Sequence, residues 1–461
     1  MNEEIRIRGA GFRGMRRALA LAVASWALAA AAADSPKLNL TLADCVGLAL
    51  ENNLDLRIEK IVRTVADQEM AAAKGGYDPA LKLSAKRTHE ETAGESAGTA
   101  AGALEVAGSD TDNDAYATSV GGATGLGGLT YEVGAKLGAA DGTRNGNPFD
   151  TSTGSAGVTL TQPLLKGFKT DATRYQVAIA RQQSAEAAAQ LEAKMQDVLS
   201  QVETAWYALL QAHESIVVQE EAVRLATQLY EDNRRKVQIG TLALLDEKQA
   251  ESQAAAARAD LSSAKRAYAE AQNQLKTLLF ADLRQFRNVE LAPIGELASA
   301  PTAVDAAASG ERALATRPDL REARLALARQ GISVKYQKNQ TLPALDLVGG
   351  YGVAASDEDS SADVAERLQS ADEPYWTAGV ELTFPLGNRA AKARHAQSLA
   401  NEEKMKLALR QLEEQALVEV DDAASAVATG YERVQATREA RDYAAQALAA
   451  EERKLDSGQS T

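Results

Sequence analysis

One stretch of this chain is written twice. Asp55 stands 24 residues before Pro79, and Asp319 stands 24 residues before Pro343, with matching neighbours around both pairs. Ala49, Leu50, Leu56 and Arg57 recur as Ala313, Leu314, Leu320 and Arg321, and Ala80, Leu81 and Leu83 recur as Ala344, Leu345 and Leu347. Further on, Val158-Thr-Leu-Thr-Gln-Pro-Leu164 returns as Val380-Glu-Leu-Thr-Phe-Pro-Leu386. A period of roughly 220 to 260 residues is far longer than a solenoid unit, so the pattern is that of a duplicated half-protein.

Residues 1–33 read as an export signal. Arg6, Arg8, Arg13, Arg16 and Arg17 precede an apolar stretch, Ala18 to Ala30, and a small-residue site, Ala31-Ala32-Ala33. The alternative is retention as an inner-membrane anchor; no Cys follows the site to take a lipid. Dropping five Arg and two Glu from the formal charge of −14 leaves −17, an acidic balance that argues against nucleic acid as a partner. Cys45 is the single cysteine, so no intrachain disulfide is possible and the residue reads as a packed helix position. Beyond residue 33 no run reaches the roughly 18 apolar residues of a membrane helix. Abundant alanine and few aromatics favour long helices packed side by side.

Thr41 to Lys74 has helical patterning, with Thr41 as cap and Gly75-Gly76 as stop. After Pro79, Leu81, Leu83 and Ala85 alternate with Lys82, Ser84 and Lys86, the period of a strand with two unlike faces. Thr92 to Gly157 is rich in Gly, Ser, Thr, Asn and Asp; it predicts long polar loops with an extra hairpin near Tyr116–Val120 and Leu129–Leu137. Val158 to Pro163 is a returning strand. Proline and glycine are absent from Phe168 to Ile239, which predicts one very long helix, and Leu242 to Phe280 turns back antiparallel. The second half repeats the order: helix 303–339, strand from Pro343, acidic loop 355–372, strand Tyr375–Phe384, and a long helix from Arg389.

Within the long helices one seam is apolar. Val202, Leu209, Ile216 and Val223 fall every seven residues, continued by Tyr230 and Val237, and Val420, Val427 and Val434 copy that register 218 positions later. A narrow apolar stripe suits lateral contact while another face stays wet.

The order of these parts, and the residues at their joints, resemble the TolC-like outer membrane efflux protein family, also called outer membrane factors. The matching pieces are Leu42 to Arg57 with Pro79, Leu160-Thr-Gln-Pro-Leu-Leu-Lys-Gly167, the Lys236 to Asp246 stretch, and their second copies. The resemblance implies a mainly α chain with a transmembrane β-barrel portion, in which a homotrimer builds one barrel and one periplasmic α-helical tunnel. It also implies location in the cell outer membrane, extending into the periplasm, and a role in efflux or type I secretion with a periplasmic adaptor (membrane fusion) protein and an inner-membrane pump. The physical reading agrees, because four short strands cannot close a barrel alone and a one-seam helix needs neighbours.

On this reading the chain divides into the signal (1–33), a first structural repeat (34–280), an equatorial connector (281–302), and a second repeat (303–461) lacking its final helix. The resemblance makes the hairpin turn at Ile239, Gly240 and Thr241 the adaptor-contact tip, with Gly458 as its counterpart. Pro79, Pro163, Pro343 and Pro385 mark the barrel-to-helix junctions, since proline ends a strand ladder. Two other readings are a periplasmic coiled-coil scaffold and a truncated channel without activity.

No catalytic, cofactor or metal site is expected. His89, His213 and His395 have no ligand spacing, and Gly121 to Gly128 lacks the strand-to-helix setting and lysine of a phosphate loop. Asp110, Asp112 and Asp114 alternate as in a calcium loop, but Ala115 and Gly121 stand where Gly and Glu are required. Tyr375 and Trp376 are candidates for an interfacial aromatic belt.

Overall fold

The computed structural model describes residues 37–99, 102–106, 108–144, 147–295, 297, 304–358 and 361–456. Residues 1–33, expected to be an export signal, and Gly458 lie outside them. Two compact units interleave along the chain: one joins residues up to Leu54 with Val198–Ala298, the other joins Asp55–Asp197 with the residues from Ser299 onward.

In the first unit, strand β1 (Lys37–Leu40) pairs in parallel with β8 (Glu290–Pro293). Helix α1 (Leu42–Asn52) follows β1 and starts in a capping box, Thr41 and Asp44 each satisfying the other's backbone N–H. Cys45 and Ala49 are buried on its inner side, and burial pushes the Cys45 thiol up to about 11. The unit also holds the part of α3 (Ala172–Gln238) from Val198 onward, antiparallel to α4 (Leu244–Leu279), joined by Glu220–Lys265 at 3.6 Å and by His213 against Tyr268. Trp206 of α3 packs against the backbone at Gly295, where a Cβ would lie 2.5 Å from the ring. A one-turn helix, α5 (Leu283–Phe286), stacks Phe286 on Phe280.

The second unit holds a row of antiparallel helices and a sheet. Helix α2 (Leu54–Lys74) lies against the first part of α3 through Asp55–Lys194 and Asp67–Ser184. That part of α3 meets α7 (Pro318–Asn339) through stacked Tyr175 and Tyr336 and through Glu186–Arg329 and Glu192–Arg321. Helix α7 in turn meets α9 (Arg389–Asp456) through Arg324–Glu413 and the Gln330 amide on the Ser398 carbonyl. The row therefore reads α2-α3-α7-α9.

The sheet has six antiparallel strands in the order β10-β9-β7-β6-β5-β2. They are β2 (Ala80–Thr92), β5 (Ser109–Ala123), β6 (Thr130–Arg144), β7 (Asn147–Pro163), β9 (Ala344–Asp357) and β10 (Pro374–Thr383). A separate small hairpin, β3 (Glu95–Thr99) and β4 (Gly102–Val106), interrupts the path from β2 to β5. Helix α2 leads into β2, β7 leads into α3, α7 leads into β9, and β10 leads into α9. Four strands thus continue four helices in matching order, while β5 and β6 have no helix of their own.

Three expectations change. Each repeat's opening helix is two helices: α1 and α2 break at Asn53, and α6 (Ala306–Thr316) and α7 break at Arg317, both extended, with ψ 127°. In each, the break residue's N–H bonds the carbonyl four residues back, Ala49 or Ala313, and Leu56 or Leu320 is buried just beyond. Proline at 318 accounts for the second break, since the residue before proline leaves the helical region; at the first, the buried Asn53 amide instead donates to the Leu278 carbonyl at 3.1 Å. The Gly-rich stretch from Thr92 to Gly157 is mostly strand, because β-pairing on both sides supplies the backbone partners that its small side chains do not. The acidic segment 355–372 contains a helix, α8 (Ser361–Ser370), whose Val364 is buried.

Candidate functional site

The two faces of the six-stranded sheet differ in chemistry. Strand alternation places Leu81, Tyr116, Val133, Val158, Tyr351 and Trp376 on one face, with Leu83, Leu137, Leu160 and Val380 beside them. These residues largely face solvent in a single chain; Trp376 is 74% exposed and Leu83 71%. The opposite face carries Lys82, Ser119, Glu132, Thr159, Thr377 and Glu381 among many glycines. A sheet that is apolar on one exposed face and polar and small on the other fits a wall between lipid and water.

The apolar band ends partway up the strands. Past Ala85 the same face carries Arg87 and His89, directly opposite Asp114 and Asp112. Arg87 reaches Asp112 at 3.1 Å and His89 reaches it at 2.9 Å. Asp110, Asp112 and Asp114 therefore stand on an extended strand, paired with Arg87 and His89, instead of wrapping a loop around calcium. Above the band, α8 lies over Gly154, where a Cβ would come within 2.6 Å of Val364 and 2.8 Å of Leu368.

At the sheet's other end the prolines sit at the changes of structure. Pro79 and Pro343 immediately precede β2 and β9, Pro163 closes β7, and Pro385 follows β10 by two residues. After each returning strand a glycine takes a left-handed turn, Gly167 with φ 86° and Gly387 with φ 91°. Asn339 ties the junction together, accepting from the Gly167 N–H at 2.7 Å and donating to the Leu165 carbonyl at 3.2 Å. The turn between β5 and β6 is fixed to the same place: the Gly127 carbonyl accepts from the Lys169 N–H and from the Gln162 amide, and a Cβ on Gly128 would stand 2.8 Å from the Gly167 carbonyl. Close backbone approach thus demands glycine at 121 and 128, and a positive φ of 67° favours it at 127, whereas Gly125 has open space around it.

The α3–α4 turn is a Schellman cap. Gly240, with φ 80°, donates to Val237, and Thr241 donates to Lys236 at 2.9 Å. Ile239 is 74% exposed, and Leu244 and Leu245 are exposed beside it. These two leucines were missed in the sequence, where they look like the first apolar positions of an amphipathic helix.

The heptad residues divide by environment. Val202 and Leu209 are buried, Ile216, Val223 and Val420 are half-buried, and Val427 and Val434 are exposed. Among the described residues, no helix is long and apolar enough to cross a membrane, and no group of three His, Cys, Asp or Glu could hold a metal ion.

The outer membrane efflux protein family matches residues 128–279 and 310–461. No curated protein matches the chain. Among solved structures, the outer membrane channel CmeC of Campylobacter jejuni shares 17% identity at a TM-score of 0.64, over 91% of this chain and 77% of that one. A membrane protein from Pseudomonas aeruginosa aligns with 17% identity and TM-score 0.65, over 93% and 85%. The outer membrane protein VceC of Vibrio cholerae gives 17% and 0.63, over 91% and 87%. At such identity the likeness is one of fold.

Proposed function

The chain belongs to the outer membrane efflux protein family, and on that premise we propose that three copies form one channel, which receives its cargo from an inner-membrane pump through a periplasmic adaptor. It is an outer-membrane efflux channel subunit extending into the periplasm. The observation that carries the channel reading is the two-faced sheet, since an exposed apolar face across all six strands has no place in water. Passage through a wide polar bore involves no covalent step, only a barrier low enough to cross.

The adaptor-contact tip is assigned to Ile239, Gly240 and Thr241 with Leu244 and Leu245, because this capped turn exposes three large apolar side chains where a surface turn is normally polar. By the repeat, Gly458 takes the second tip. Pro79, Pro163, Pro343 and Pro385 set the barrel-to-helix junctions, and the heptad seam carries lateral helix contacts. The division into signal, two repeats and connector follows the same reading. Efflux of small molecules and type I secretion of polypeptides both use this arrangement.

Membrane fractionation followed by planar-bilayer recording tests the reading. Outer-membrane recovery with discrete conductance steps is expected; a soluble periplasmic monomer without conductance would sink it.

A further inference from the structure

We propose, resting on the channel reading above, that the β5–β6 hairpin is part of the barrel wall, so that three copies close an eighteen-stranded barrel with β2 of one copy paired to β10 of the next.

Three observations carry this. The hairpin is in full register on both sides, from Ala80↔Gly121 through Gly121↔Glu132 to Glu132↔Thr159. Its glycine turn is bonded to the strand-to-helix junction at Gly127, so it stands at the level of the other strands. Its residues also continue the apolar face without a gap: Tyr116 and Val133 lie between Leu83 and Val158. A hairpin folded out as a surface loop would need none of these.

Widths agree as well. Six strands about 4.8 Å apart and tilted about 40° occupy about 38 Å of circumference. The four helices that continue the wall, at about 9 Å spacing, occupy about 36 Å. Four strands at that tilt would cover only about 25 Å and would have to lean much further to match the helices. The extra hairpin lets the barrel keep the width of the helical ring beneath it, with a backbone diameter of roughly 36 Å.

The open edges name the occupant, a second copy of this chain. Every residue of β10 and all but Thr88 of β2 are exposed, and neither edge tolerates lipid with its backbone unpaired. Six alternating strands leave β2 and β10 pointing in opposite directions, so head-to-tail copies join antiparallel. The hydrogen-bonded row that begins at Ala80 reaches β10 at Thr377, six residues short of Thr383. Setting Ala80 of the next copy level with Thr383 gives a stagger equal to the strand number, for which the strand tilt is about 36°. That register places Lys82 opposite Glu381 on the polar face, a charge-matched seam.

Cysteine pairs in the full-length protein test this; Cys45 is buried and does not compete. Lys82→Cys with Glu381→Cys is expected to give oxidant-dependent dimers and trimers that reductant abolishes, and Lys82→Cys with Ser119→Cys an internal link. Ser84→Cys and Lys86→Cys partners for Glu381→Cys allow for a register shift and support the joint equally. A link between Lys82→Cys and Thr159→Cys within one chain would overturn the proposal, because it pairs β2 with β7 as β9 pairs with β10. Membrane-inserted trimers lacking every β2–β10 link would overturn it too and leave the channel reading intact; a soluble monomer would remove both.

Discussion

The Arg317 guanidinium reaches Glu419 across 2.7 Å, tying the break between α6 and α7 to the long helix α9. Its other nitrogens hold Asp319 at 2.8 and 3.2 Å, and this contact keeps the Asp319 carboxyl below its usual range. A carboxyl depressed in the folded state contributes stability above its unfolded value, about pH 4, and loses it as the pH falls through the folded value. Arg317→Ala should lower the melting temperature at pH 7 by a few degrees and flatten its decline between pH 5 and 3. Thermal melts across that range would show it.

Asn53→Ala leaves the same break in the first repeat without its amide. The Leu278 carbonyl then loses its donor beside a residue only 4% exposed, at a cost of about 1–3 kcal/mol. Asn53→Asp should cost at least as much, since a carboxylate cannot donate. Denaturant midpoints would rank the two.

Gly154→Val drives carbon into Val364 and Leu368. Overpacking of this kind costs about 1–3 kcal/mol, and α8 is the element free to yield. Protease cleavage within residues 361–370 should rise in the variant while membrane assembly persists.

Arginine on the two faces should behave oppositely. Val133→Arg puts a charge on the apolar face, at a cost of about 2–4 kcal/mol near the bilayer midplane, and should reduce the yield of assembled protein. Thr159→Arg on the polar face should assemble and alter ion selectivity in bilayers instead.

Replacing Ile239, Leu244 and Leu245 with serine should abolish transport in cells while leaving trimers and bilayer conductance unchanged. Equal export by this variant would show that the tip's apolar surface is not used.

The duplication made the order of elements legible, because a strand, a long helix and their joints each came with a second copy. Pro79 and Pro343 located the strand starts for the physical reason that proline ends one ladder or helix and permits another. The extra hairpin was legible in part: alternation near Tyr116–Val120 and Leu129–Leu137 marked it, but its full length was obscured because Gly134, Gly154 and Gly157 signal loops when read locally, yet they are where neighbouring strands or α8 leave no room for a Cβ. The tip was half legible. Gly240 marked the turn, but the exposure of Leu244 and Leu245 depends on what surrounds the turn and not on their spacing.

The sheet's connectivity also sets a timetable. Arg144 pairs with Asn147, close by in sequence, so β6 and β7 can zip early, and β5 joins β6 through the turn at Gly127 and Gly128. Pairing Pro163 with Asp346 must wait for the whole intervening helical hairpin and carries the entropy of closing that long loop. Until that loop closes, β7 is left as an open edge of the β2-β5-β6-β7 meander.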